Sequence, residues 1–199
     1  AIDFAPAGLH ELYEAQVQRT PAAVALLSGQ QTLSYAALNE RANRYAHGLL
    51  AAGFKPGQRV GLYMQRSVGR VVAMLAAFKA GLTLVPLDRN WPRERLNYMS
   101  SQAKLAALLV AAPEHAAELD ASPPAYTEAA FADITTNGNP QLLADPSAAA
   151  WILFTSGSTG KPKGVAYSHA AAAYRVRWMW NEYDFTQAER FIHRSSCNF

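Results

Sequence analysis

The amino-acid sequence predicts an α/β fold in which mostly parallel β-strands are flanked by helices. Between positions 59 and 110, three short apolar runs alternate with two stretches of helical periodicity. Strands that alternate with helices of this length are typical of parallel βαβ units with right-handed crossovers. Half of the 199 residues are hydrophobic and 17% are charged, as in a globular protein with a substantial core.

The N-terminal part predicts a helix, a hairpin and a second helix. Apolar residues recur at helical spacing over positions 9–17, and Pro21 ends that helix. Residues 24–27 and 31–35 flank the turn residues Ser28, Gly29 and Gln30, whose chemistry indicates a hairpin. Ser34 is placed to cap the second helix and Gly53 to end it. The apolar face of that helix consists of Leu38, Ala42, Tyr45, Ala46 and Leu49.

The middle of the chain predicts the strand–helix alternation itself. Strands are expected at 59–64, 82–87 and 106–110, with a helix at 67–80 that Gly81 closes and another that Pro92 opens. Asp88, at the end of the second strand, is expected to serve a turn or a cap. A short helix is expected near 114–119. From there to 149 the residues Pro123, Pro124, Asn137, Gly138, Asn139 and Pro140 indicate a solvent-facing connection.

Positions 151–165 are the most informative stretch, because an apolar strand there gives way to a polar, glycine-rich loop. Residues 151–154 are bulky and apolar, which predicts a buried strand. The next ten residues are Thr155, Ser156, Gly157, Ser158, Thr159, Gly160, Lys161, Pro162, Lys163 and Gly164. Glycines let successive backbone N–H groups face one point, and hydroxyls and lysines suit phosphate oxygens. We interpret the loop as a phosphate clamp; the alternative is a solvated turn between two strands.

The loop differs from a nucleotide P-loop. That pattern requires a glycine five residues before a Gly-Lys-Ser/Thr ending. Here Gly160-Lys161 is followed by Pro162, and the position five before Gly160 is Thr155. A P-loop NTPase is therefore disfavoured.

The stretch after the loop predicts a strand over 165–167 and a helix over 169–183 that Ser168 caps and that carries Trp178 and Trp180. His169 stands near the start of this helix, beside the loop. It is a candidate for a catalytic role, although capping or packing is favoured.

Charge and cysteine content argue against several classes of protein. The net charge is +3, with eleven Lys or Arg against two acids over 41–104, and six acids without a Lys or Arg over 105–160. The basic residues are scattered singly, so nucleic-acid binding is not favoured.

No apolar run is long enough for a membrane span. The single cysteine, Cys197, fits a reducing cytoplasm. His193 and Cys197 alone make no metal site, and no metal ligands are predicted.

Four ordered motifs resemble an adenylation domain of the nonribosomal peptide synthetases, within the acyl-adenylate-forming (AMP-binding) enzyme superfamily. The loop at 151–165 is similar to the signature Y-T-S-G-S-T-G-x-P-K-G-V. The sequences of 9–17 and 33–43 together resemble the start of such a domain. The sequence of 78–88 resembles its K-A-G-x-A-Y-V-P-L/I-D motif. The tail 190–199 resembles the approach to a motif that ends in Phe-Asp.

The resemblance implies that residues 1–199 are the N-terminal portion of the large domain of an adenylate-forming enzyme, with the C-terminal remainder absent. The family joins a carboxylate to ATP, with Mg²⁺, and releases pyrophosphate. It then transfers the acyl group to the phosphopantetheine thiol of a carrier protein. The residues implied to bind the ATP phosphates are Thr155, Ser156, Gly157, Ser158, Thr159, Gly160 and Lys163, and Phe199 is implied to line the substrate pocket.

The family's catalytic lysine is not in this chain, so the chain alone is expected to be inactive, with strand faces such as 82–87 partly uncovered. An acid is expected to follow Phe199, which would make the substrate an amino acid. Two alternatives remain: an acyl- or aryl-CoA ligase, and a non-catalytic nucleotide-binding or interaction fragment.

Overall fold

The computed structural model describes residues 5–120, 123–142, 145–156, 161–186 and 189–193. In these ranges five α-helices and eight β-strands follow one another. The helices are α1 (Leu9–Arg19), α2 (Tyr35–Ala51), α3 (Val68–Lys79), α4 (Arg93–Ala103) and α5 (His169–Glu182). The strands are β1 (Val24–Ser28), β2 (Gln31–Ser34), β3 (Arg59–Tyr63), β4 (Thr83–Pro86), β5 (Ala107–Val110), β6 (Ala125–Tyr126), β7 (Ala149–Thr155) and β8 (Lys163–Ser168). Two short 3-10 helices, Pro113–Glu118 and Glu128–Phe131, flank β6.

Two sheets are present in the part of the chain that the structure describes. The hairpin β1–β2 is antiparallel, as the turn residues predicted. The main sheet has the strand order β6-β5-β3-β4-β7-β8. All neighbours in it are parallel except β7 and β8, which are antiparallel. The predicted α/β class with a mostly parallel sheet is confirmed.

Both faces of the central strands are covered, because successive side chains of a strand point to opposite faces. In β3, Val60 and Leu62 join a cluster with α2 and α3, whereas Tyr63 joins a second cluster with α4. The expectation that strand faces at 82–87 are partly uncovered is wrong, since Leu84 and Val85 have no exposed surface. Helices on both sides of a parallel sheet account for this burial.

The structure confirms the two helix caps that the sequence predicted. The Ser34 and Ser168 hydroxyls each accept a backbone hydrogen bond within the first turn of their helices, from Ala37 at 3.1 Å and from Ala171 at 3.2 Å. Ser67 does the same at the start of α3. The sequence therefore determines where these helices begin.

The segment 111–149 is mostly exposed or half-buried, as its loop chemistry predicted, but it also contributes a strand to the main sheet. β6 pairs in parallel with β5, and the Tyr126 ring stacks on Phe131 with a centroid separation of 5.9 Å. Glu128 accepts two hydrogen bonds from the Arg41 guanidinium, at 2.6 and 2.7 Å. A two-residue strand has no periodicity for pattern reasoning to detect, so this part was missed. Among the described helices, none is long and apolar enough to cross a membrane.

Candidate phosphate-binding site

The predicted phosphate loop connects the two strands at one end of the main sheet. Thr155, the last residue of β7, lies opposite Lys163, the first residue of β8, in the antiparallel register. Both residues and Ser156 are exposed to solvent. The structure therefore brings three of the predicted site residues to the two ends of one loop, where two hydroxyls and an ammonium group face water.

Other predicted site residues lie outside the described part of the chain. Gly157, Ser158, Thr159 and Gly160 form the middle of the loop, and Phe199 is the last residue of the sequence. Their roles in phosphate binding and in the substrate pocket stay predictions.

The connection of the loop differs from that of a P-loop. A P-loop runs from a strand into a helix, whose N-terminus faces the phosphates. Here the loop runs into β8, which pairs antiparallel with β7. The topology therefore agrees with Pro162 in disfavouring a P-loop NTPase.

The phosphate loop lies at the carboxyl edge of the parallel strands, where open α/β sheets bind ligands. β4 and β7 are parallel neighbours, with Leu84 beside Trp151, so the chain leaves both strands at the same edge. Asp88 follows β4 at this edge. One of its carboxylate oxygens accepts hydrogen bonds from the backbone and side-chain nitrogens of Asn90, both at 3.0 Å. The turn role expected for Asp88 is confirmed.

His169 is a packing residue. Its side chain is buried, its ring meets the Phe78 ring edge-on at 5.3 Å, and its Nδ1 accepts a hydrogen bond from the Leu9 backbone at 3.3 Å. Burial lowers the pKa of His169 to about 4, and the neighbouring His10 adds to the effect. The packing role that the sequence favoured is confirmed, because the imidazole joins α1, α3 and α5 away from the loop.

Sequence reasoning missed a polar cavity at the same edge of the sheet. It lies beyond the ends of β3 and β4, and Arg66, Arg70 and Arg89 line it. The excess of Lys and Arg over 41–104 was the available signal. Because Arg66, Arg70 and Arg89 are separated in sequence, the excess alone did not indicate that these three residues lie close together. In the part of the chain that the structure describes, no group of three or more His, Cys, Asp or Glu residues is arranged to hold a metal ion.

Comparison with known families defines the class of protein. The model of the family described as AMP-binding enzyme matches residues 13–199. The chain therefore belongs to the AMP-binding enzyme family, as its loop and fold indicated.

Within this family the chain is similar to nonribosomal peptide synthetases. It is 36% identical over 195 residues to tyrocidine synthase 3 of Brevibacillus parabrevis, and this match covers 96% of the chain and 3% of the relative. It is 35% identical over 191 residues to bacitracin synthase 3 of Bacillus licheniformis, covering 96% of the chain and 3% of the relative. The chain thus spans a small fraction of the curated relatives that it matches.

Solved structures with the same fold are also nonribosomal peptide synthetases and a related subdomain. The crystal structure of the nonribosomal peptide synthetase FmoA3 superimposes with a TM-score of 0.88 at 26% identity, over 100% of this chain and 21% of that chain. The N-terminal subdomain of Klebsiella oxytoca NpsA, in complex with 3-hydroxybenzoyl-AMSN, gives a TM-score of 0.76 at 26% identity, over 84% and 42% of the two chains. The predicted resemblance to an N-terminal portion of an adenylation domain is confirmed.

Proposed function

We propose that residues 1–199 form the N-terminal portion of an adenylation domain that activates a carboxylic substrate as an acyl-adenylate. One observation carries the proposal: the specific loop at 155–163 leaves a parallel strand at the carboxyl edge of the sheet and returns as an antiparallel strand. This loop lies in a chain that the AMP-binding family matches over 13–199. The remainder of the domain belongs, in this proposal, to a longer parent protein.

In the proposed reaction the loop binds the β- and γ-phosphates of ATP, which carry Mg²⁺. Thr155, Ser156, Ser158 and Thr159 supply hydroxyls, Lys163 supplies a positive charge, and Gly157 and Gly160 let backbone N–H groups face the phosphates. The loop's contribution is to position the phosphates and to stabilise charge as pyrophosphate leaves. A structure of FmoA3 in an AMPPNP-bound form supports ATP as the cosubstrate.

We further propose that the substrate is an amino acid and that the acyl group passes to the phosphopantetheine thiol of a peptidyl carrier protein in the cytoplasm. Similarity to peptide synthetases supports the amino acid and the carrier. The single cysteine supports a reducing compartment. Phe199 is proposed to line the substrate pocket, followed by an acid that binds the substrate amine.

An aryl acid is the competing substrate class. The structure of NpsA with 3-hydroxybenzoyl-AMSN favours it, since that ligand carries an aryl acyl group. The residue after Phe199 in the parent sequence separates the two classes, because an acid there provides a partner for an amine and an apolar residue does not.

The experiment that tests the function is substrate-dependent ATP–pyrophosphate exchange by the parent protein, with and without the change Lys163→Ala. A charge-assisted hydrogen bond contributes about 1.5–3 kcal/mol, so we expect exchange to fall roughly ten- to hundredfold. Binding of the carboxylic substrate, measured separately, is expected to stay unchanged.

The matched control is Lys55→Ala, which removes the same charge at an exposed turn after α2. An unchanged exchange rate in the Lys163 variant would remove this lysine from the site. Absence of exchange in the unaltered parent, with every proteinogenic amino acid and with aryl acids, would overturn the proposed function.

A further inference from the structure

A cavity of about 240 Å³ opens at the carboxyl edge of the sheet, beyond the ends of β3 and β4. Its polar lining consists of Gln65, Arg66, Arg70, Asp88, Arg89 and Asn90. A cavity needs only about 10–15 Å³ to hold one water, so this space is many times that size. The cavity is therefore large enough for a small polyatomic anion.

Arg70 is the residue that needs a partner. It lies in the first turn of α3, and its side chain lines the cavity although only 7% of the residue is exposed. Its Nε is buried and has no hydrogen-bond partner, and no ion pair with it exists among the residues that the structure describes. A buried charge without a partner is costly, so the guanidinium favours an anion in the adjoining cavity.

Arg89 is held in place beside the same cavity. Its Nε donates to Glu118 at 3.3 Å, its Nη1 lies 3.1 Å from the His115 Nε2, and its guanidinium stacks over the Tyr63 ring. Glu118 in turn accepts a hydrogen bond from the Tyr63 hydroxyl at 2.6 Å, and this bond, with that from Arg89, lowers the pKa of Glu118. These contacts fix the guanidinium before any ligand arrives, so it loses little freedom on binding.

The balance of charge around the cavity is positive. Three guanidinium groups line it together with one carboxylate, that of Asp88, which accepts two hydrogen bonds from Asn90. The Glu118 carboxylate pairs with Arg89 beside the cavity, so three positive charges stand against two negative ones. Guanidinium groups bind phosphate through paired N–H donors in a planar fork. The lining therefore suits a phosphate group better than a neutral ligand or a cation.

We propose that this cavity is a second anion site, which binds inorganic phosphate or pyrophosphate through Arg70 and Arg89. Among the described residues, its lining shares none with the loop at 155–163, and it lies at the same edge of the sheet. The anion binding stands on the cavity alone. A role in catalysis, in which the cavity binds the pyrophosphate that the reaction releases, rests on the proposed function.

Calorimetric titration of the 199-residue chain with sodium pyrophosphate, and separately with inorganic phosphate, tests the site. We expect binding of pyrophosphate to weaken at least tenfold in Arg70→Met and to recover in part in Arg70→Lys. Binding is expected to persist in Arg93→Met, which removes an exposed arginine paired with Asp120. The part of the binding that Arg70→Met removes is expected to remain in Lys163→Ala, which changes only the phosphate loop. Tighter binding of pyrophosphate than of phosphate would identify the diphosphate as the preferred ligand.

A second measurement distinguishes loss of the anion site from misfolding of the variant. Arg70→Met removes an unpaired buried charge, so its Tm without anion is expected to equal or exceed that of the unaltered chain. Pyrophosphate is expected to raise the Tm of the unaltered chain by more than that of Arg70→Met, in which only the phosphate loop is left to bind it. The ¹⁵N resonance of Arg70 Nε is expected to shift on titration with pyrophosphate.

Equal affinity for pyrophosphate in the unaltered and Arg70→Met chains would overturn the proposal, and so would an unmoved Arg70 Nε resonance. Loss of binding in Lys163→Ala alone would assign the anion to the phosphate loop and would also overturn it. If pyrophosphate binds through Arg70 while the parent protein shows no exchange activity, the anion site stands and the proposed function fails.

Discussion

His169 shows how one buried side chain makes the stability of the protein depend on pH. Its imidazole is 5% exposed and packs against Phe78 and His10, with ring centroids at 5.3 and 6.0 Å. The acids Glu11 and Asp145 partly offset the pKa decrease that burial and His10 cause. The pKa of about 4 lies below the ordinary value of 6.5, so the folded state holds this ring neutral.

Stability is therefore expected to fall as the pH decreases from 6.5 to 4. In that window the unfolded state binds more protons than the folded state, so acidification favours unfolding, and above pH 6.5 the contribution is complete. The shift corresponds to about 2–3 kcal/mol near pH 4.5. In His169→Asn, where Oδ1 replaces Nδ1 as acceptor for the Leu9 N–H, we expect the loss between pH 7 and 4.5 to be smaller by that amount.

Urea unfolding at several pH values measures this effect, with His47→Asn as the control. The His47 Nε2 donates one hydrogen bond to the Gly138 carbonyl at 2.9 Å, and this residue lies closer to the surface than His169. A pH dependence that is identical in the His169 variant and in the unaltered chain would show that this imidazole does not titrate on unfolding.

At the residue scale, the sequence predicted roles that depend on neighbours in the chain and missed those that depend on distant ones. The caps Ser34 and Ser168 and the turn at Asp88 followed from local spacing, and the structure confirms them. The buried guanidinium of Arg70, which has no ion pair among the described residues, did not follow, since its burial depends on how α3 packs on the sheet. Residues that meet only in three dimensions leave no local pattern.

At the scale of elements, the contact between α2 and the 3-10 helix Glu128–Phe131 depends on one glycine. A Cβ at Gly48 would lie 2.2 Å from Cγ of Phe131. The absence of a side chain lets the Phe131 ring pack directly on the helix, beside Tyr45. Gly48 thus holds the segment after β6 against the core.

We expect Gly48→Ala to destabilise the protein by about 1–2 kcal/mol. Overpacking costs about 1–3 kcal/mol and exceeds the gain in helix propensity, which is at most about 1 kcal/mol. The matched control is Gly69→Ala in α3, where a Cβ would lie an ordinary 3.4 Å from the Met64 methyl group. This control is expected to be at least as stable as the unaltered chain.

Thermal unfolding of both variants measures the difference. The double variant with Gly48→Ala and Phe131→Ala is expected to lose less stability than the two single changes combined, because Phe131 no longer meets the added methyl group. Equal Tm values for the two glycine variants would contradict the close contact between α2 and Phe131.

Elements with a strong pattern were predictable, and elements stabilised by pairing alone were not. The helices and the strands β3, β4 and β5 showed clear periodicity or apolar runs, and their positions match the sequence prediction within a few residues. The strand β6 has two residues, which pair with Leu108 and Leu109 across a separation that no local window covers. Its place in the sheet comes from tertiary pairing.

At the scale of the whole molecule, seven of the nine large apolar side chains that are exposed among the described residues lie on or after β8, and the other two, Val24 and Leu27, lie on β1. The strand β8 is the edge of the main sheet, and its Val165 is 52% exposed. Further large apolar side chains are exposed on or after this strand, namely Tyr167, Tyr174, Trp180, Tyr183, Phe191 and Ile192. Many exposed apolar side chains on and after an open strand edge are typical of a surface that another part of a protein covers.

The 199-residue chain alone is therefore expected to give no ATP–pyrophosphate exchange above background. Under the proposed function, the groups that bind adenine and the carboxylate belong to the remainder of the domain. Adding that remainder as a separate polypeptide is expected to restore exchange and to reduce binding of an apolar dye by the chain. Substrate-dependent exchange by the chain alone would show that the catalytic groups lie within these residues.

The antiparallel turn of β7 into β8 has a consequence for the order of folding. Thr155 and Lys163 pair across eight positions, whereas Leu84 and Trp151 pair across 67. Short closures cost little chain entropy, and hairpins form in about 1–10 μs, while distant parallel pairs form more slowly. The β7–β8 hairpin that holds the phosphate loop is thus able to form before β7 pairs with β4 and completes the sheet.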